Sequence, residues 1–168
     1  MSLKDRGMLI IEGIHCLNEE FSAEIPADRK MKVYASCLAQ VNLCEHTRIS
    51  TTDIRLMRRI IRDNRTRGYS PSDTIEKWPA VVQGERSNIF PYQENADVII
   101  NTSMTYELAM IKLVAEPALF SVSRQDPAYP KIAELLKVLD FILGGGTEVI
   151  PRYSILREFI GNSSLKVG

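Results

Sequence analysis

The sequence lacks several features that would place it in a special class of protein. Its net charge is zero, with 21 basic and 21 acidic residues, so we expect neither a nucleic-acid partner nor a membrane partner, because both usually require a basic excess. No apolar run reaches membrane length. With 45% hydrophobic residues among 168, the chain can bury a core, and we expect one soluble domain over residues 1–168.

Cysteine is scarce. The three residues Cys16, Cys37 and Cys44 are odd in number and form no C-x-x-C motif, which argues against a disulfide framework and favours a cytoplasmic location. Cys37 and Cys44 with His46 allow a metal-site hypothesis, but their spacing does not match that of zinc sites. Small, partly buried thiols are the simpler interpretation.

The sequence also contains no G-x-x-x-x-G-K-[ST] phosphate loop. The glycine triplet Gly144, Gly145 and Gly146 follows a helical pattern instead of a strand, and no Lys-Ser or Lys-Thr pair comes after it. These glycines therefore predict the end of a helix and a turn.

Short apolar runs alternate with helical patterns, which predicts an α/β fold with a parallel sheet and flanking helices. We expect the parallel strands near residues 8–12, 31–36 and 96–101. Amphipathic helices are expected over residues 106–116, ending before Pro117, and over residues 130–143, with a last short helix over 153–161.

Two further helices have clear start signals. Ser50 and Asp53 lie at capping-box spacing before an arginine-rich helix that should end by Gly68. The next helix is expected to begin with Ser70 as its N-cap, Pro71 in its first turn and Asp73 at N3, and to continue to about Gly84.

The arginine-rich helix is the main functional signal. Residues 55–70 contain six arginines, no lysine and a single acid, Asp63. At about 100° per residue, the apolar residues fall within an arc of about 160° and five arginines within an opposite arc of about 120°. Those arginines are Arg55, Arg58, Arg59, Arg62 and Arg65.

Like charges at i,i+4, such as Arg55 with Arg59, cost about 0.2–0.5 kcal/mol each, so an anionic partner is expected. Asp63 lies four residues from Arg59 and from Arg67, and we expect it to orient them. Because the planar guanidinium binds phosphate through two donors and keeps its proton, phosphate is the favoured ligand. A solvated charged face is the alternative. Residues 65–73, hinged at Gly68, are interpreted as a flap over a polyphosphate.

Glu12 directly follows the predicted strand at residues 8–12, and ligands of open parallel sheets bind beyond the carboxyl ends of strands. We predict that Glu12 holds Mg²⁺, directly or through water, while a nucleotide supplies the other oxygens. The alternative is that Glu12 only begins a loop. His15 is expected either in the same crevice or as an ordinary loop histidine.

The segments LIIEGIH, KVY, RLMRRIIRD with RG, and ADVII occur in this order and resemble the uridine kinase and phosphoribulokinase family of P-loop kinases over about residues 8–115. The insert SCLAQVNLCEHTRISTTD is similar to that of uridine kinase-like proteins with a threonyl-tRNA synthetase-like N-terminal extension. The resemblance implies transfer of the γ-phosphoryl group of ATP to the 5′-hydroxyl of a pyrimidine nucleoside, with Mg²⁺.

The resemblance also assigns site residues. Glu12 matches the acidic Mg²⁺ position, Arg59 an arginine near the nucleoside, and Arg62 and Arg67 the lid arginines. We therefore predict catalytic roles for Arg59, Arg62 and Arg67. The predicted ATP-binding residues are Arg58, Arg62, Arg65 and Arg67. Tyr69 stands where the uridine kinases often have another arginine, so the pyrimidine preference does not follow directly.

Because the phosphate loop is absent, the resemblance implies that these residues are the C-terminal part of a kinase. We expect this part to be inactive alone. Residues 116–168 are expected to form a helical tail that packs on it. In the family, the phosphate-loop strand lies between those matching residues 8–12 and 31–36. We expect these two strands to pair directly or to pair with a second copy, as a homo-oligomer. The alternative function is a noncatalytic binding or oligomerisation module that presents its arginines to an acidic protein or RNA.

Overall fold

The computed structural model describes residues 7–39, 42–45 and 47–165, which form strands and helices in two compact units. The first unit comprises Met1–Ala35 and Ala80–Ile100, and the second comprises Ser36–Pro79 and Asn101–Gly168. The single domain over residues 1–168 stays a prediction. The strands are β1 (Val33–Ser36), β2 (Asn42–Cys44), β3 (Thr47–Arg48) and β4 (Val98–Asn101), and the helices are α1 (Thr51–Arg67), α2 (Pro71–Asn88), α3 (Glu107–Phe120), α4 (Tyr129–Asp140) and α5 (Arg157–Ile160).

Strands β1 and β4 form a two-stranded parallel sheet within the described residues. The amide of Val98 donates to the carbonyl of Lys32 at 3.2 Å, and the amide of Thr102 donates to the carbonyl of Ser36 at 2.8 Å. Both bonds advance in the same direction along the two strands, as a parallel ladder requires. The α/β class and the strands predicted near residues 31–36 and 96–101 are therefore confirmed.

The strand predicted at residues 8–12 is wrong. These residues form no strand, and Met8 and Ile10 are 85% and 84% exposed. A strand exists only when a neighbour supplies its hydrogen bonds, and within the part of the chain that the structure describes no strand pairs with this segment. The predicted direct pairing of residues 8–12 with 31–36 is also not formed among the described residues, where β4 is the strand that pairs with β1.

A short antiparallel hairpin of β2 and β3 precedes α1 and was not predicted. Asn42 lies opposite Arg48 in its register. Its strands are only three and two residues long, which is too short for a periodic apolar pattern to identify them.

Helix α1 begins and ends where the sequence predicts. The side chain of Ser50 accepts a hydrogen bond from the amide of Thr52, so Ser50 is the N-cap. At the other end Gly68 has φ of 69°, and its amide donates to the carbonyl of Asp63. This left-handed conformation is inexpensive only for glycine, which explains why the helix ends there.

Helix α2 begins with the predicted capping box. The amide of Asp73 donates to Oγ of Ser70 at 3.1 Å, and the amide of Ser70 donates to Oδ2 of Asp73 at 2.8 Å. The helix ends at Asn88 instead of near Gly84. The side chain of Asn88 donates to the carbonyl of Gly84 at 3.0 Å, a hydrogen bond within the last turn of the helix.

The second unit has a helical core in which α3 packs against α1, α4 and α5, and α5 also packs against α1. Helix α3 continues past Pro117, where it was predicted to end. Leu119 is buried on the same face as Ala115 and Ile111, so packing favours one more turn despite the lost hydrogen bond. Helix α4 ends at Asp140, short of the glycine triplet, and α5 is shorter than predicted.

The first unit buries little apolar surface. Among its described residues, Leu17 is buried, while both strands of the sheet carry exposed apolar side chains. The exposed large apolar residues of this unit include Met8, Leu9, Ile10, Ile11, Ile14, Met31, Val33, Val98, Ile99 and Ile100. In the described ranges, no helix combines the length and apolarity needed to cross a bilayer.

Candidate phosphate-binding site

The arginine helix buries the apolar arc that the sequence predicts. Its buried residues include Ile54, Leu56, Met57, Ile60 and Ile61. Three arginines on other positions of α1 remain partly exposed, with side-chain exposures of 29% for Arg59, 25% for Arg62 and 48% for Arg67. These three arginines with Arg65 are called the arginine row below.

Asp63 holds three members of the arginine row. Its Oδ2 lies 3.3 Å from Nε of Arg59, while its Oδ1 accepts from Nε of Arg62 at 3.1 Å and from Nη1 of Arg67 at 3.2 Å. Asp63 itself is only 2% exposed. One carboxylate thus orients three guanidinium groups, as predicted for Arg59 and Arg67, and cannot neutralise all three charges.

Helix α5 also contacts the arginine row. Oε1 of Glu158 lies 3.7 Å from Nη1 of Arg62, and the backbone carbonyl of Glu158 accepts a hydrogen bond from Arg65. A carbonyl satisfies a donor without neutralising its charge, so the row keeps an excess of positive charge over these two acids. The C-terminal tail was expected to pack on the rest of the chain, but its contact with the arginines was not predicted.

Arg58 does not belong to the exposed face, and its predicted placement there is corrected. It is buried and forms a two-pronged ion pair with Glu107, in which its Nη2 donates to Oε2 at 2.6 Å. Nη2 also donates to the carbonyl of Thr102 at 2.9 Å, and the guanidinium lies 5.2 Å from the ring centre of Phe159. On a helical projection Arg58 lies only about 40° from Ile54, so the neighbouring helices cover it.

Burial works to lower the pKa of Arg58, but the hydrogen bonds and the charge of Glu107 outweigh burial and raise the pKa above its ordinary value. The guanidinium therefore stays charged as part of the core. With its donors directed at Glu107 and Thr102, Arg58 is left out of the phosphate site proposed below.

Glu107 was missed by the sequence analysis, although a signal was available. Glu107 begins a series of residues spaced four apart that continues with Ile111, Ala115 and Leu119. These residues form the buried face of α3. A carboxylate on that face must find a partner, because an unpaired buried charge is very costly. Oε2 of Glu107 also accepts a hydrogen bond from the backbone amide of Met104 at 3.1 Å.

The loop predicted as a flap is shorter than expected. Only residues 68–70 lie outside α1 and α2, because residues 65–67 complete α1 and residues 71–73 begin α2. The amide of Tyr69 donates to the carbonyl of Asp63 at 3.2 Å. Nζ of Lys77 lies 3.8 Å from the ring centre of Tyr69, so a cation is held beside the position where the family resemblance expects another arginine.

Glu12 belongs to the first unit and is exposed, as is His15. Glu12 directly precedes a turn in which the amide of Cys16 donates to the carbonyl of Gly13 at 3.2 Å. In the described part of the chain, no group of three or more acidic, histidine or cysteine side chains could hold a metal ion. One accessible carboxylate fits Mg²⁺ only when phosphate oxygens and water complete the shell, which is the usual arrangement for nucleotide-bound Mg²⁺.

The cysteine and histidine hypothesis gains no support. Burial raises the pKa of the Cys37 thiol, which opposes the thiolate form that metals bind. The position of His46 lies outside the described residues, as does the side chain of Cys44.

The C-terminal tail carries an open depression of about 550 Å³ in the second unit. It is lined by Thr147, Glu148, Arg152, Arg157 and Asn162. None of these residues belongs to the arginine row. Arg157 there donates to the carbonyls of Thr147 and Gly161, so it fixes the local loop.

The described residues thus contain a two-stranded parallel sheet and, separately, a helix on which three arginines converge on one buried acid. The family model of the phosphoribulokinase / uridine kinase family matches residues 2–109. The chain belongs to this family of kinases. A search of the curated proteins and a search of the solved structures found no significant match.

Proposed function

We propose that this chain is the C-terminal part of an ATP-dependent nucleoside kinase of the uridine kinase type, and that its arginine row binds the phosphates of the nucleotide. Arg62 and Arg67 would contact the transferred phosphate, Arg59 would lie near the nucleoside, and Arg65 would extend the row. Phosphoryl transfer depends mainly on positioning and on neutralising charge, which is what guanidinium groups supply.

The observation that carries this proposal is the shared carboxylate of Asp63. Three guanidinium groups converge on one acid at 3.1–3.3 Å and still expose part of their side chains. Each arginine has five N–H donors and uses only some of them on Asp63, so donors remain for a polyphosphate. A purely solvated face would not concentrate like charges in this way.

Two further components complete the proposal. A phosphate loop must come from a segment other than these 168 residues, because the motif does not occur in them, and the chain alone should not turn over. We assign Glu12 separately as the carboxylate for Mg²⁺ carried by the nucleotide.

Cytoplasmic location remains part of the proposal and is supported by the odd number of cysteines.

Binding measurements on the 168-residue chain test the kinase proposal against the noncatalytic module. A nucleotide site should prefer ATP with Mg²⁺ over AMP and over single-stranded RNA. A module for acidic partners should bind RNA and heparin with steep salt dependence and show little preference among nucleotides. The second pattern would reject the kinase proposal.

Replacing one arginine gives a sharper prediction. Arg62→Ala should weaken binding of ATP with Mg²⁺ by about tenfold or more, because it removes a charge-assisted hydrogen bond. Arg124→Ala is the matched control, since Arg124 is exposed in the turn between α3 and α4 and carries the same charge. Titration calorimetry measures both. Equal effects of the two substitutions would contradict a specific role for Arg62.

A further inference from the structure

Asp63 has two structural roles at the end of α1. Its side chain contacts Arg59, Arg62 and Arg67, as described above. Its backbone carbonyl accepts hydrogen bonds from the amides of Gly68 and Tyr69. The same residue therefore fixes both the directions of three arginines and the left-handed turn that ends the helix.

The surroundings of Asp63 explain why it can impose an orientation. On a helical projection Asp63 lies about 20° from Leu56, so it sits at the edge of the buried arc. A carboxylate held there has little freedom. Arg59 and Arg67 reach it from the preceding and following turns, and Arg62 reaches it from the adjacent position. Long arginine side chains otherwise lose much rotamer freedom when they bind a ligand.

We propose that Asp63 is a positioning residue of the phosphate site. Before the nucleotide binds, its carboxylate holds the side chains of Arg59, Arg62 and Arg67 in fixed orientations. This inference rests on the proposed function. A triphosphate would then bind to three guanidinium groups that are already oriented. Less side-chain conformational entropy would be lost on binding. Asp63 itself would not touch the nucleotide.

Positioning and simple electrostatics predict opposite effects of removing this acid. If Asp63 only reduced the positive charge of the row, its neutralisation would strengthen binding of every anion. If it positions the arginines, its neutralisation weakens binding of a triphosphate, because the asparagine amide keeps one acceptor oxygen, loses the negative charge and directs an NH2 donor toward the guanidinium groups. The sign of the change therefore separates the two roles.

The test uses the 168-residue chain with inorganic tripolyphosphate and with ATP and Mg²⁺, measured by titration calorimetry. Asp63→Asn should weaken tripolyphosphate binding about fivefold. Asp53→Asn is the matched control: Asp53 lies in the first turn of the same helix, its Oδ1 is 2.8 Å from Nζ of Lys131, and its substitution adds the same charge. It should change binding by less than about twofold.

Asp63→Glu provides a second variant with the wild-type charge if Asp63→Asn does not fold. It moves the carboxylate outward by one methylene, so tripolyphosphate binding should weaken about threefold while binding of inorganic phosphate stays unchanged. Unchanged or tighter tripolyphosphate binding in a folded Asp63 variant overturns the inference alone. Failure of the wild-type chain to bind either polyphosphate overturns the proposed function as well.

Discussion

Glu107 carries the buried negative charge on which Arg58 depends. It is 1% exposed, and its two oxygens accept from the guanidinium of Arg58. We predict that Glu107→Ala lowers the free energy of unfolding by about 3–5 kcal/mol, because it leaves a buried charge without a partner. Urea unfolding followed by circular dichroism measures the change.

A double variant serves as the control for this prediction. Arg58→Met with Glu107→Leu removes both charges and keeps a similar side-chain volume. Such replacements of buried ion pairs often change the free energy of unfolding little. The double variant should therefore be more stable than Glu107→Ala. A single variant as stable as the wild type would show that Arg58 finds another partner.

The position of a residue around the helix axis decides whether it is covered in α1. Arg58 and Arg59 differ by about 100° on the helical projection, and only Arg58 meets α3 and α5. The sequence predicted the apolar arc and the contacts of Asp63 with Arg59 and Arg67. It could not predict the burial of Arg58, because the partners Glu107 and Phe159 lie far along the chain and reach it only through tertiary packing.

At the scale of elements, the first turn of α2 provides a pH-dependent contribution to stability. Asp73 accepts hydrogen bonds from the hydroxyl of Ser70 at 2.6 Å and from its amide at 2.8 Å, and these bonds lower the pKa of Asp73 below its ordinary value. Because the folded pKa is the lower one, the contribution is present above the unfolded pKa. It is lost as pH falls through the folded pKa, below about pH 4.

We predict that Asp73→Asn has a lower melting temperature than the wild type at pH 7, and that the difference shrinks as the pH falls through the lowered pKa of Asp73, because the wild-type side chain then becomes protonated as well. Thermal unfolding over a series of decreasing pH values measures this. Glu76→Gln, at an exposed position of the same helix, is the control and should show no such pH-dependent difference. A difference that stays constant with pH would argue against the capping role of the charge.

Local elements were predicted better than paired ones, for a physical reason. The starts of α1 and α2 and the end of α1 depend on side chains within three or four residues, so Ser50, Gly68 and Ser70 were sufficient signals. A strand depends on a partner elsewhere in the chain. The apolar run at residues 8–12 has the composition of a strand, but none of the described strands pairs with it.

At the scale of the whole molecule, the first unit leaves a large apolar surface uncovered. Both strands of its sheet and the segment at residues 8–12 expose apolar side chains, and among its described residues only Leu17 is a buried large apolar residue. Parallel sheets are normally covered on both faces. Exposed patches of this kind mark surfaces that bind another chain or segment.

We predict that the chain forms a homo-oligomer through this surface. Ile10→Lys and Ile99→Lys should each shift the chain toward the monomer in sedimentation velocity, because a buried lysine opposes apolar contact. Leu143→Lys is the matched control, since Leu143 is an exposed apolar residue of the second unit, and it should leave the oligomer unchanged. A monomeric wild-type chain would contradict the prediction. If all three substitutions shifted the chain equally toward the monomer, the association would be unspecific aggregation instead of a defined interface.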